Sequence, residues 1–200
     1  MAAKTESTFI NMVVVLTVVT ALAGLALGSV YNFTKEPIEI AEGGKSVKIF
    51  PSDSFKITYT IGFPHPMLKE QTLTISVENE IFEKEISRAR TFGFLQEVEY
   101  LKKNGFALGG SLDNAIVIDQ TNNILNKHGL RYSAEFVRHK ILDFLGVLSL
   151  LGMTIIGHVI ANKSGHTLNH ALLEKFITQT HCWQTSTWPY EEDNASAAAC

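Results

Sequence analysis

The chain has 200 residues, 46% hydrophobic and 18% charged, which suits one domain of about 130–150 residues with an additional segment. Its net charge of −3 provides no basic surface, so nucleic acid is excluded as an expected partner. Both cysteines, Cys182 and Cys200, lie near the C-terminal end, so the body of the chain has no disulfide framework and a reducing compartment is allowed.

After a flank at 1–8, FINMVVVLTVVTALAGLALGSV (9–30) runs for 22 positions without a charged residue. A helix of that length is roughly 33 Å long, enough to cross a bilayer core, and predicts a transmembrane helix over 9–31. Gly24 and Gly28 form a GxxxG spacing that lets membrane helices approach closely, or are simply glycines of the kind such helices contain. Lys4 opposite Glu6 makes a weak basic flank, and ALG at 26–28 is a poor cleavage site, so an uncleaved anchor is favoured over a signal peptide. Lys4 and Lys35 balance each other across the run and leave its orientation unspecified.

Residues 32–45, with Pro37 and the Gly43-Gly44 pair, read as a linker ending in a turn. KSVKIF, SFKITYTIGF and QTLTISV then alternate apolar and polar residues, the pattern of strands with one buried face. FLQEVEYLKKNG (94–105) predicts a helix stopped by Asn-Gly, and SLDNAIVID (111–119) contains a short buried strand. RYSAEFVRHKILDFLGVLSLLG (131–152) is the longest helical pattern after the anchor, with Ser133 as N-cap and Gly152 as terminator. Its core stripe is read as Val137, Ile141, Leu145, Leu148 and Leu151. MTIIGHVIA predicts a strand and SGHTLNHALLEKF a second helix. The expected fold is α+β: a two-layer sandwich of a β-sheet and helices over 46–178, followed by a disordered tail at 179–200.

Chemistry concentrates on the long helix. His139 and Asp143 are four residues apart and so share a face, beside the apolar stripe, with Lys140 adjacent. Two readings stand: an ion pair across one helical turn, or two ligands of a zinc ion, which takes imidazole nitrogen and carboxylate oxygen. Further on, ANKSGHTLNH (161–170) places Lys163 and His166 in a polar loop between a strand and a helix. His166 is either a surface loop histidine or a general acid and oxyanion stabiliser.

Several blocks resemble the UDP-3-O-acyl-N-acetylglucosamine deacetylases, zinc hydrolases of lipid A synthesis in Gram-negative bacteria. They are PIEIAEGGKSVKIFPSDSFKITYTIGFPHP, ISRARTFGFLQEVEYLKKNGFALGGSLDNAIVID, GLRYSAEFVRHKILDFLG and IIGHVIANKSGHTLNHALL, so the resemblance covers residues 37–176. It implies that His139 and Asp143 are zinc ligands. His166 becomes the histidine that stabilises the tetrahedral intermediate and protonates the leaving amine. Lys140 and Lys163 fall on the nucleotide and phosphate side, and Thr91 and Phe92 near the acyl group. Gly93 to Asp119 corresponds to the family's βαβ-like insert, whose apolar interior forms a passage for the acyl chain.

The resemblance extends only to the second of the family's two similar domains. The first supplies a Glu-His pair, namely the third zinc ligand and the general base, and no VEH-like motif occurs in this sequence. Val147 stands where the family usually carries an acidic residue that orients the catalytic histidine. The implied activity is zinc-dependent deacetylation of UDP-3-O-acyl-N-acetylglucosamine, with little turnover by this chain alone and a separate chain supplying the first domain. The alternative is a catalytically inactive membrane-tethered binding module, or a mosaic. STFINMVVVLTVVTALAGLALGSVYNFTKEPI resembles the anchor of the Rnf complex G subunit, or the related quinone reductase C subunit, without their SGAT-type flavin motif. That anchor delivers its domain to the periplasm, whereas the deacetylases are cytoplasmic; the expected location is the inner membrane with the domain on the cytoplasmic side.

Overall fold

The computed structural model describes residues 37–185. The membrane helix expected at 9–31 lies outside the described residues, and among these no helix is long and apolar enough to cross a membrane. The segment read as a linker contributes a strand instead. β1 (Ile38–Glu42) and β2 (Lys45–Phe50) form a hairpin closed by Gly43 and Gly44, at φ 57° and 77°. A two-residue turn with positive φ at both positions matches the twist of the flanking strands, and glycine adopts it without steric cost. Ile38 is buried and Ile40 packs against the core, a short alternation that the neighbouring proline, charges and glycines conceal.

β3 (Lys56–Ile61) and β4 (Gln71–Ser76) form a second antiparallel pair, linked through a 3-10 turn at Pro66–Leu68. β7 (His158–Asn162) inserts between the two hairpins, antiparallel to β2 and parallel to β3. The five-stranded sheet therefore runs β1-β2-β7-β3-β4. Because successive side chains alternate, one face carries Val47, Ile49, Ile57, Tyr59, Ile61, Ile75, Val159 and Ala161, all buried. The opposite face carries a threonine ladder, with Thr58 bonded to Thr74 at 2.8 Å and Thr60 to Thr72 at 2.9 Å. That face has no layer over it among the described residues, which accounts for its polarity.

The helical layer consists of α3 (Glu135–Leu148) on β3 and β4, and α4 (His166–Thr178) on β1 and β2. Phe136, Val137, Ile141, Phe144, Val147 and Leu148 are buried, and the Phe144 ring meets Tyr59 edge-on at 6.4 Å. Each such side chain contributes about 1.5–3 kcal/mol of burial. Leu145 and Leu151 of the expected stripe are only half-buried. Steps of four residues overshoot a turn by about 40°, so a stripe read at that spacing rotates off the core face, and Phe144 and Val147 take those places.

Between β4 and α3 the chain makes one α-helical turn, α1 (Asn79–Ile81), which widens to a π-helical turn at Phe82–Ile86. A βαβ unit follows: β5 (Thr91–Phe94), α2 (Leu95–Lys103) and β6 (Ala115–Ile118), with β5 and β6 parallel. It begins at Thr91, two residues before the expected boundary at Gly93, and Thr91 pairs with Ala115. The buried Asn126 holds it closed, accepting from the Val117 amide at 3.1 Å and donating to the Leu112 and Ala115 carbonyls.

One end of α3 departs from expectation and the other matches it. Ser133 is not the N-cap of α3; Ala134 occupies that position without a side-chain bond. Gly152, at φ 68°, does end the 3-10 turn Ser149–Leu151 that extends α3. Residues 179–185, read as the start of a disordered tail, pack on α4: the Trp183 ring stacks on Phe176 at 5.4 Å, and its indole N–H donates to the Phe176 carbonyl at 2.7 Å. The remaining tail and Cys200 lie outside the described residues, and Cys182 is a free, half-buried thiol.

Candidate active site

α3 presents His139, Lys140 and Asp143 at the edge of the helical layer, where the βαβ unit and the start of α4 meet it. His139 Nε2 lies 3.4 Å from Asp143 Oδ1, and Lys140 Nζ 3.6 Å from Asp143 Oδ2. His166, the first residue of α4, brings its Nε2 to 3.8 Å from Asp143 Oδ2. Phe92 of β5 closes the other side: its ring lies 6.4 Å from the His139 ring and 5.1 Å from Phe136, with Lys140 Nζ 5.8 Å from its centroid. A cavity of about 500 Å³ results, lined by Thr91, Phe92, His139, Lys140, Asp143 and His166. Phe63, Phe94 and Glu97 also line it, and sequence reading missed all three. Glu97 sits in the first turn of α2, and no spacing in the chain links it to the other polar groups.

Lys163 is not among the cavity residues. It has φ 51°, and its amide donates to the Thr60 carbonyl at 2.7 Å, so its loop is tied directly to β3. The side chain runs across Gly62, where an added Cβ would stand 2.6 Å from Lys163 Cε. Beneath the loop, the buried Tyr59 hydroxyl donates to the Ser164 carbonyl at 2.9 Å, and the Ser164 hydroxyl donates to Asn169 at 2.6 Å. Burial pushes the Tyr59 pKa up to about 12, against the hydrogen bonds that lower it, so the phenol stays a donor.

Burial and neighbouring charges set the protonation of His139. Burial lowers its pKa, outweighing the Asp143 charge and the Ala89 carbonyl, which act upward, and Lys140 and His166 add to the lowering. The imidazole is thereby neutral at physiological pH, the form that ligates metals. Its Nδ1 faces the Ala89 carbonyl at 3.4 Å, leaving Nε2 toward Asp143.

A zinc ion fits this pair. Tetrahedral ligands at 2.0–2.1 Å from zinc are separated by about 3.4 Å, which is the spacing of His139 Nε2 and Asp143 Oδ1. A carbonyl on the far nitrogen is the usual outer partner of a ligating histidine. Catalytic zinc takes three protein ligands, and among the described residues no group of three His, Cys, Asp or Glu side chains is arranged to hold a metal ion. The described residues thus fit two corners of a zinc site.

Behind the site lies a buried ion pair that the sequence did not suggest. Glu135, fully buried, accepts from Arg90 Nε at 2.8 Å, from Arg90 Nη2 at 3.0 Å, and from the amides of Arg90 and Arg131. Burial alone would raise its pKa; these donors and the Arg90 charge outweigh it and hold the carboxyl below its usual range. Arg90 and Glu135 are 45 residues apart, and only the fold joins them.

Residues 21–178 match the family described as UDP-3-O-acyl N-acetylglycosamine deacetylase. The chain belongs to that family. It is 50% identical over 158 residues to the UDP-3-O-acyl-N-acetylglucosamine deacetylase of Syntrophus aciditrophicus, covering 79% of this chain and 50% of the relative. The deacetylase of Syntrophotalea carbinolica is 53% identical over 154 residues, covering 77% of this chain and 50% of the relative. That of Idiomarina loihiensis is 46% identical over 166 residues, with coverages of 82% and 54%. The chain therefore spans about half the length of the curated relatives it matches. The deacetylase match begins at residue 21, within the apolar run and ahead of the resemblance read from residue 37.

Proposed function

We propose that this chain forms one half of a zinc-dependent hydrolase that removes the acetyl group from UDP-3-O-acyl-N-acetylglucosamine in lipid A synthesis. The observation that carries the proposal is the convergence of His139, Asp143 and His166 on a cavity walled by Thr91 and Phe92, in a chain of the deacetylase family. His139 and Asp143 hold the metal, which when bound supplies Lewis acidity toward the amide carbonyl. His166, at the positive end of α4, stabilises the charge that develops on the carbonyl oxygen and donates a proton to the departing amine. Lys140 and Lys163 serve the anionic nucleotide side. Thr91 and Phe92 lead to the βαβ unit, where an acyl chain finds an apolar groove.

A polypeptide with the family's other half supplies the remaining metal ligand and the general base. Residues 9–31 tether the domain to the inner membrane with its site on the cytoplasmic face, by an anchor like those of the Rnf G subunit and the quinone reductase C subunit. The decisive experiment titrates zinc into the full chain and assays deacetylation with and without a polypeptide carrying the missing half. Zinc-dependent turnover only in the mixture is expected, with His166→Ala lowering it by about 10²–10⁴-fold. Turnover by the chain alone at the rate of a two-domain enzyme would sink the proposal.

A second reading, a tethered binding module without catalysis, draws on the same two-donor metal corner among the described residues. Nucleotide-lipid binding by the zinc-free chain, with no turnover in the mixture, would favour it.

A further inference from the structure

The peptide unit between Ala89 and Arg90 lies between two side chains of α3, one helical turn apart. On one side its N–H donates to Glu135 Oε1 at 3.0 Å. On the other its carbonyl faces His139 Nδ1 at 3.4 Å. The unit is trans, so its N–H and C=O point in opposite directions and align the three groups in one chain. The segment has little freedom to leave this position. The Ala89 amide donates to the Ile86 carbonyl at 2.9 Å, and Arg90 itself bonds Glu135 and the Gly129 carbonyl at 2.8 Å.

We propose that Glu135 is a positioning residue for His139, acting through the Ala89–Arg90 peptide as a carboxylate–amide–imidazole relay. Hydrogen bonds in series polarise one another in a low-dielectric interior. A carboxylate accepting the amide proton shifts electron density toward the Ala89 oxygen and makes it a stronger acceptor. That oxygen holds the His139 proton on Nδ1, so that Nε2 keeps its lone pair on the side of Asp143. Metal-ligating histidines commonly have a carboxylate or a backbone carbonyl on the far nitrogen; here the two stand in series. The buried Arg90–Glu135 pair accordingly does more than join the βαβ unit to α3, because it sets the tautomer of the histidine one turn further on. For zinc binding the inference rests on the proposed role of His139; for the tautomer it does not.

The test uses the full chain, 15N-labelled and metal-free, with long-range proton–nitrogen NMR of the histidine rings, His139 being assigned by the signals lost in His139→Gln. Wild-type His139 is expected to carry its proton on Nδ1. In Glu135→Gln, which keeps the side-chain shape and removes the charge, the Nδ1–H share falls and cobalt(II) affinity, read from visible absorption, drops about tenfold. Arg131→Met loosens the same region by removing bonds to the Arg88 and Asp113 carbonyls while sparing the relay, and keeps the wild-type tautomer. A proton on Nε2 in the wild type overturns the inference, as does a folded Glu135→Gln chain with unchanged tautomer and cobalt affinity. Should Glu135→Gln not fold, Glu135→Asp, which keeps the charge and withdraws it from the Arg90 amide, is read in the same way, and an unchanged tautomer and cobalt affinity there overturns the inference. A tautomer that responds to Glu135 in a chain that binds no metal would keep the relay and remove the zinc reading.

Discussion

At the scale of single residues, Gly62 and Glu135 carry consequences that their own chemistry would not suggest. Gly62 leaves the space that the Lys163 side chain crosses. On the proposed assignment of Lys163 to the phosphate side, Gly62→Ala deflects that flexible chain and leaves the fold intact. The expected outcome is an unchanged melting temperature and roughly tenfold weaker UDP binding by calorimetry, the worth of one charged hydrogen bond of about 1.5 kcal/mol. Glu135 is a stability group. Its carboxyl is held below the usual range, so its contribution is fully present above the unfolded value of 4.5 and is lost as pH falls through the folded value. Glu135→Gln should cost about 3–5 kcal/mol in denaturant unfolding at neutral pH by breaking a buried pair. The gap between variant and wild type should narrow steadily as pH drops below 4.5. A gap independent of pH would mean that Glu135 is not preferentially charged in the folded state.

At the scale of elements, the N-terminus of α3 separates sequence expectation from structure. Ser133 has the residue type and place of a cap, yet Ala134 is the capping position and makes no side-chain bond. Ser133→Ala should therefore change stability by less than about 0.5 kcal/mol, where loss of a true serine cap costs about 1 kcal/mol. Thermal melts of the two chains distinguish these values. The elements that were legible are those whose burial is one-sided and local. β2, β3 and β4 show alternation because one face meets the helices and the other meets water. β1 was hidden because Pro37, Glu39 and the two glycines resemble a linker, and its pairing with β2 is what makes it a strand. In the candidate site, a helix turn fixed the spacing of His139 and Asp143 as a pair, while their reading as ligands and their grouping with His166, Thr91 and Phe92 came from the family resemblance. The Arg90–Glu135 pair, and the place of Glu97 on the cavity wall, depend on contacts between distant segments, for which no periodicity exists.

At the scale of the whole molecule, the sheet is assembled out of sequence order. Two antiparallel hairpins, β1-β2 and β3-β4, have no direct pairing with each other, and β7 joins them from more than 80 residues beyond β4 (Ser76 to His158). A chain ending before His158 should remain unfolded by circular dichroism and amide NMR, and a native-like spectrum from such a truncation would contradict this. The central place of β7 also has a temporal side. During synthesis both hairpins must wait for the last strand, and loop closure over such a span is slow. Ser164 and His166 follow β7 within four residues, so the reactive loop takes shape in the same step that closes the sheet. On this topology a ribosome-bound chain holds no complete site: until β7 and the loop after it have been made, His139 and Asp143 have no His166 set against them.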